Sequence, residues 1–392
     1  MPSIINSDDG QTSGSAGLKF TSGDDGVMKI QNNGVDAMTV SAAGQPTFAA
    51  PVSQPGAFMF RNKIINGNFD IWQRGTSQTI SGYSSADRWR CLNVGSTKTA
   101  SRQAFDLGQT DVPGNPKYYM RHVVTSVAGA SNYVAMDQKI EGVETLSGKT
   151  ATLSFWAKAD ASKNIAVEFY QDFGTGGSPS DAVSGIGAQL VALTTSWTKY
   201  TITVDIPSVA GKTLGTDGND WVGVFFWFDA GSDYDDRAAN LGQQSGTFDI
   251  AQVQLEEGSA ATPFEQRPIG TEENLCYRYY YKIFPNAVTK SLTLMANAST
   301  STRGWGDVVF PVPMRTEPTA LETSGTPSHY AVARVGITTY TGTNGPVFST
   351  LTTRYMSAIY LDVASGQSLA TDQGTTIRAI NAAAFLAWSA EL

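Results

Sequence analysis

The sequence is poor in the side chains that most catalytic chemistry needs. Among its 392 residues there are two cysteines and two histidines, and only 16% are charged. Cys91 and Cys276 are too few for a disulfide framework and carry no paired-cysteine zinc spacing. Two buried free thiols, in a chain folded in a reducing cytosol, are expected. His122 and His329 each sit in a strand-like stretch without a partner signature, so both read as structural. Nothing therefore marks the base that a Ser or Cys nucleophile requires. There is no Walker loop and no His-Glu-x-x-His. Gly174-Thr175-Gly176-Gly177 is followed by no helical pattern that would offer amides to a phosphate, and reads as a hairpin loop. No apolar run approaches the ~18 residues that span a bilayer. Met1-Pro2-Ser3-Ile4-Ile5-Asn6 has neither the basic nor the apolar part of a secretory signal. The formal charge is −8, and no segment carries a basic stripe. Membrane insertion and sequence-independent nucleic-acid binding are thus not expected.

Glycine and aromatic residues are plentiful, with 39 Gly, 8 Trp, 15 Tyr and 18 Phe. That composition suits β-sandwiches, whose flat aromatic side chains fill cores or stack on sugar rings. Residues 1–16 are Ser/Gly/Asp-rich and read as a tail. Gly17–Ile30 and Gly34–Val40 alternate apolar and polar residues between turn residues, as short strands do. Isolated hairpins are marginal in water, so association with copies of the same chain would complete them. Residues 43–56 read as a linker.

Residues 57–268 hold the clearest strand signals: 150–158, 164–171, 197–204, 221–228 and 247–255. Trp221–Phe228 is apolar at every position and is expected to be a central strand covered on both sides. Strands separated by Gly/Ser/Asp turns with no helical period between them indicate an antiparallel jelly-roll sandwich. Thr271–Lys282 reads as a helix with Thr271 as N-cap, which would put Tyr277, Tyr280 and Tyr281 on one face. Residues 286–392 return to short β phrases and predict a C-terminal sandwich. The apolar run Ala382–Trp388 within it is expected to be buried, for instance against neighbouring subunits. The expected fold class is all-β: an N-terminal neck and linker (1–56), a central jelly roll (57–268), a linking helix (269–285) and a sandwich tip (286–392).

Several ordered phrases carry a family resemblance. The opening run Asn62-Lys63-Ile64-Ile65-Asn66-Gly67-Asn68-Phe69-Asp70-Ile71-Trp72 is similar to the start of carbohydrate-binding-type sandwiches on bacteriophage tail and fibre proteins. Leu153–Ala159, Phe173–Ser178, Val253–Gly258, Ala261–Gly270 and the tip phrase Phe310–Arg315 resemble the same proteins. The similarity covers roughly residues 60–285, and the short strands near the N-terminus resemble the neck of trimeric phage fibres. The resemblance implies a homotrimeric, non-enzymatic virion protein assembled in the host cytoplasm. Its N-terminal segment would join other tail or capsid proteins, and it would attach to a host surface polysaccharide or lipopolysaccharide. It also implies a structural Ca²⁺ held by Asp70 and Asp249 between the opening segment and the last strand.

Sugar contacts are expected at Tyr170, Asp172, Tyr234 and Asp235, which flank turns beside apolar strands. Trp72, Trp89, Trp156 and Trp227 are assigned to the core. Two rival classes stay open. One is a virion decoration or adaptor protein without a glycan partner. The other is a glycan depolymerase, which needs only two suitably spaced carboxylates; Asp217, Asp220, Asp229, Asp233, Asp235 and Asp236 supply candidates.

Overall fold

The computed structural model describes residues 28–32, 35–40, 46–48, 60–283, 293–334, 339–363 and 368–392. The chain divides into two compact units, Met1–Met59 and Phe60–Leu392. In the first, β1 (Met28–Asn32), β2 (Val35–Val40) and β3 (Pro46–Phe48) form a three-stranded antiparallel sheet. β3 lies in the stretch expected to be linker. Pro46 opens it opposite Val40, and a first strand position tolerates a missing N–H. The tail at 1–16 and the first part of the neck phrase, 17–27, lie outside the described residues.

The second unit begins with eleven strands: β4 (Ser77–Gln78), β5 (Arg90–Val94), β6 (Thr97–Ala104), β7 (Tyr118–Thr125), β8 (Tyr133–Glu141), β9 (Thr150–Ala159), β10 (Lys163–Asp172), β11 (Val183–Leu193), β12 (Thr198–Asp205), β13 (Trp221–Ala230) and β14 (Gly246–Glu257). They build two antiparallel sheets, ordered β11-β10-β13-β8-β5 and β12-β9-β14-β7-β6-β4. Every second residue points inward. Val222, Val224, Phe226 and Phe228 of β13 thereby meet Leu153, Phe155 and Ala157 of β9 in one core. Phe155 and Phe226 cross edge-to-face at 5.1 Å, and His122 stacks on Phe228 at 4.5 Å. β13 is buried along its whole length between β10 and β8, the central strand its apolar run predicts. Both cysteines are buried free thiols.

The opening run is a bracket rather than a strand. Asn66 Nδ2 donates to the carbonyls of Ile71 (2.9 Å) and Asp87 (3.0 Å), its Oδ1 accepts from Ile71 N, and its carbonyl accepts from Trp89 Nε1. Gly67 lies against an irregularity in β14, where Val253 N donates to its carbonyl at 2.9 Å. A Cβ on Gly67 would stand 2.1 Å from Val253 O, so no larger residue fits.

α1 runs only from Ile269 to Tyr277, and its N-cap is Pro268, not Thr271. The chain then turns into β15 (Tyr280–Ile283). The remaining strands are β16 (Thr293–Thr300), β17 (Arg303–Val309), β18 (Glu322–Thr323), β19 (Tyr330–Arg334), β20 (Thr339–Thr341), β21 (Val347–Phe348), β22 (Met356–Asp362), β23 (Gly374–Ala379) and β24 (Leu386–Ser389). A seven-stranded sheet, β20-β19-β23-β16-β17-β22-β21, accompanies the three-stranded sheet β15-β24-β18. Only two of the three tyrosines expected on one face meet, Tyr277 and Tyr281, edge-to-face at 5.2 Å. Successive strand residues point to opposite faces, so Tyr280 carries the Arg74 guanidinium 3.5 Å from its ring centroid while Tyr281 stacks on Trp388 in the core of the C-terminal sheets. Aromatic residues favour strands, and pairing with β24 overrides the helical start. Leu386 and Trp388 are accordingly buried by their own chain, not by a neighbouring subunit.

The final residues stitch these sheets to the first sandwich. Glu391 pairs with the buried Arg88 and, at 3.2 Å, with Arg74. The Arg88 guanidinium lies over the Tyr279 ring at 3.5 Å. Arg278 and Tyr279 both donate to Glu141 of β8. Lys139 Nζ reaches Leu392 O at 3.1 Å.

Candidate functional site

Alternation along the five-stranded sheet places a second aromatic cluster on its outer side. Trp221, Phe225 and Trp227 leave β13 opposite to the core-facing residues and pack with Tyr170 of β10 and Tyr133 of β8. Tyr170 stacks on Trp221, with centroids 5.0 Å apart and planes 12° apart. Phe225 lies 5.8 Å from Tyr170 and 6.3 Å from Trp227. Tyr234, from the 3-10 turn Ser232–Tyr234, closes the far end at 5.2 Å from Trp227 and 4.9 Å from Tyr133. Trp221, Phe225 and Trp227 are only 6, 5 and 2% exposed. Tyr133, Tyr170 and Tyr234 are half-buried and form the accessible rim.

Charged groups fix this array in place. Glu168 is fully buried and accepts from Trp227 Nε1 (3.2 Å), Arg237 Nε (2.9 Å) and Gly185 N (2.7 Å). Arg237 in turn lies 5.0–5.2 Å from the ring centroids of Trp227, Tyr170 and Phe225, a cation–π arrangement. The buried Asp137 accepts from Nε and one terminal nitrogen of Arg90 at 2.9 and 3.0 Å. Burial moves the Asp137 carboxyl upward against the pull of Arg90. Burial, helped by Arg90, lowers Lys139 to about 8, and its Nζ sits 4.5 Å from the Trp221 ring centroid. With its polar partners satisfied, the face leaves the edges of Tyr133, Tyr170 and Tyr234 accessible beside these charged groups.

Of the residues named from sequence, Tyr170 and Tyr234 are brought onto this one face, at opposite ends of the row Trp221-Phe225-Trp227. Asp172 pairs across from Trp221 in the sheet, and its Oδ1 caps the following turn by accepting from Gly174 N at 2.9 Å. Asp235 holds its loop by backbone bonds, from its N to Ser232 O and from Asn240 N to its carbonyl. Trp227 does not fill the sandwich core, because its parity puts it outside. Trp156 likewise alternates with the core residues Phe155 and Ala157 and lies on the outer side of the six-stranded sheet, whereas Trp89 is fully buried within. Tyr133, Trp221, Phe225, Glu168 and Arg237 were missed. The outward parity of 221, 225 and 227 was readable, but a fully apolar strand masks it.

Asp70 and Asp249 occupy different surroundings. Asp249 is chelated by Arg121, Nε and the terminal nitrogen donating at 2.7 and 2.8 Å, with Lys158 at 3.9 Å. Asp70 accepts from Asn68 Nδ2 at 2.8 Å, and burial raises its carboxyl above the usual range. Among the described residues no group of three or more His, Cys, Asp or Glu is arranged to hold a metal. This donor set does not fit Ca²⁺, since a cation at Asp249 would have to displace a guanidinium. Three of the loop carboxylates are similarly committed. Asp229 accepts from Ser96 Oγ (2.6 Å), Ser126 Oγ (2.8 Å) and Gln244 N (2.8 Å). Asp220 accepts from Val143 N, and Asp217 from Thr175 Oγ1.

No protein-family model matches the chain, and no curated protein does. Solved structures similar to it include a CBM4 protein, 21% identical over 49% of this chain and 98% of that one, with a TM-score of 0.28. A family 11 carbohydrate-binding module from a cellulosomal cellulase of Clostridium thermocellum is 13% identical over 47% and 96%, at 0.29. The enzymatically active domain of tailspike protein 4 of bacteriophage CBA120 is 14% identical over 50% of this chain, which spans only 22% of that one, at 0.31.

Proposed function

We propose that the protein is a non-enzymatic glycan-binding fibre or tail protein of a bacteriophage. In this reading it is a homotrimer that attaches to a bacterial surface polysaccharide or lipopolysaccharide, with its N-terminal segment joined to other tail or capsid proteins. The observation that carries it is the rim of Tyr133, Tyr170 and Tyr234 over the Trp221-Phe225-Trp227 row. Sugar C–H faces stack on such rings, and the bordering carboxylates and cations offer hydrogen bonds to hydroxyls. Single contacts of this kind are weak, and three per trimer gain by effective concentration. The carboxylates weighed for glycan cleavage are partly spent on loop hydrogen bonds, which favours binding over hydrolysis.

Retention of the intact chain on immobilised host polysaccharide is the test. Tyr170→Ala and Tyr234→Ala should each weaken it about tenfold, roughly 1.4 kcal/mol, with the fold retained. The burial of Trp221, Phe225 and Trp227 by their own neighbours favours a second reading, in which the sandwich is only a virion scaffold. Failure to bind any host envelope fraction would select that second reading. Release of reducing ends would select a depolymerase instead, and a monomer in light scattering would remove the trimer.

A further inference from the structure

A concave surface lined by none of the aromatic-face residues lies between the opening run, α1 and the lead-in to β24. It is a groove of about 860 Å³, within the range of cavities that enclose small-molecule ligands. Its walls carry four rings, Trp72, Tyr118, Tyr277 and Phe385. Two of them are fixed in place: Trp72 Nε1 donates to Phe69 O at 2.6 Å, and Tyr277 meets Tyr281 edge-to-face at 5.2 Å. Four cations line the same space, of which Arg74 is paired with Glu391 and the other three lie over rings. Arg102 and Lys117 are held over Tyr118 at 4.3 and 5.0 Å, and Lys282 over Phe385 at 4.0 Å. None of the three makes an ion pair among the described residues. Asp70 and Glu273 are the acidic residues of the lining, so the cations outnumber them.

An independent observation points to a missing partner. Asn68, nine-tenths buried, lines the groove and the adjoining pocket of about 100 Å³, and its Oδ1 has no hydrogen-bond partner. A buried acceptor left unpaired is unfavourable, and this one sits in the wall of the groove. Burial also lowers the Lys282 ammonium below its usual range, so an arriving anion would meet a poorly solvated cation.

We propose that this groove binds a short acidic saccharide, whose carboxylate is taken by Lys117, Arg102 and Lys282 and whose ring faces lie on Trp72 and Tyr277. The site is separate from the aromatic sheet face and does not depend on that face binding sugar. The test is calorimetric titration of the full chain with oligomers of galacturonate, glucuronate and mannuronate, with neutral gluco-oligomers, and with inorganic phosphate. At least one uronate oligomer should bind. Arg102→Gln with Lys117→Gln should weaken it at least tenfold and flatten its salt dependence, while Tyr170→Ala leaves it unchanged. Both substituted side chains reach solvent, and an unchanged melting temperature would show that the fold is kept. The proposal is overturned if no uronate binds, if neutral oligomers bind equally well, or if phosphate alone accounts for the affinity. Loss of uronate binding in Tyr170→Ala but not in the groove variant would also overturn it, by moving the acidic sugar to the sheet face.

Discussion

On the outer side of the five-stranded sheet, β13 presents Trp221, Phe225 and Trp227, nearly inaccessible beneath Tyr170, Tyr234 and Arg237. On the outer side of the six-stranded sheet, β12 presents Lys199, Thr201 and Thr203, all exposed, and β14 and β7 contribute the Asp249–Arg121 pair. Both sheets turn an apolar face inward and share one core. The aromatic side adds a second buried cluster outside that core. Buried carboxylates paired with arginines occur on both outer sides, Glu168 with Arg237 and Asp137 with Arg90 on one, Asp249 with Arg121 on the other, and only on the first do they border a row of rings. Exposed large aromatic patches on a solved fold commonly mark interaction sites, and here the patch is reduced to a tyrosine rim.

This contrast can be broken most severely at Trp227. Trp227→Ala should destabilise the chain by about 3–5 kcal/mol in urea unfolding, as deep core truncations do, although the residue lies outside the sandwich core. A loss below about 1 kcal/mol would mean that the outer cluster is not packed. Glu168→Gln should come next. It removes the charge that serves Arg237, Trp227 Nε1 and Gly185 N, and should lose about 1–3 kcal/mol with a change in tryptophan emission.

The space between the sheets contributes a pH dependence. Burial holds His122 at about 3 against an ordinary 6.5, so the unfolded chain takes up a proton between those values and the folded chain does not. Its contribution is complete above pH 6.5 and is lost as pH falls toward 3, by about 1.4 kcal/mol per pH unit. Asp87, raised by burial to about 6 from 3.8, acts in the opposite direction between those two values. His122→Leu should remove the first contribution, so the variant's unfolding midpoint should fall less than that of the parent chain between pH 6.5 and 4. An equal fall in both would contradict the assignment. Thr201→Ala on the polar side should change stability by less than about 0.5 kcal/mol. A larger effect would mean that this face too is covered by something.

The two-residue period and the Gly/Asp punctuation made the sandwich strands legible, and the apolar run at Trp221–Phe228 marked the central strand. Tyr170 and Tyr234 were legible as turn-flanking aromatics. Trp227 was misplaced because apolar residues on both faces of a strand give no sign of which face meets the other sheet. The helix was drawn too long because Thr271-Glu272-Glu273 is a good helical start, whereas β15 exists only through its pairing with β24, about a hundred residues later. β3 was hidden in a linker for the same reason: three residues make a strand only where β2 supplies the partner.

Composition and alternation by themselves determined that this chain is all-β, poor in catalytic side chains, and rich in rings, because strand periodicity and residue chemistry are local properties. Only the tertiary structure decided which rings share a surface and which carboxylates are already spent. It alone built the groove between Trp72, Tyr118, Tyr277 and Phe385. Those residues come from distant parts of the chain, and only packing brings them together.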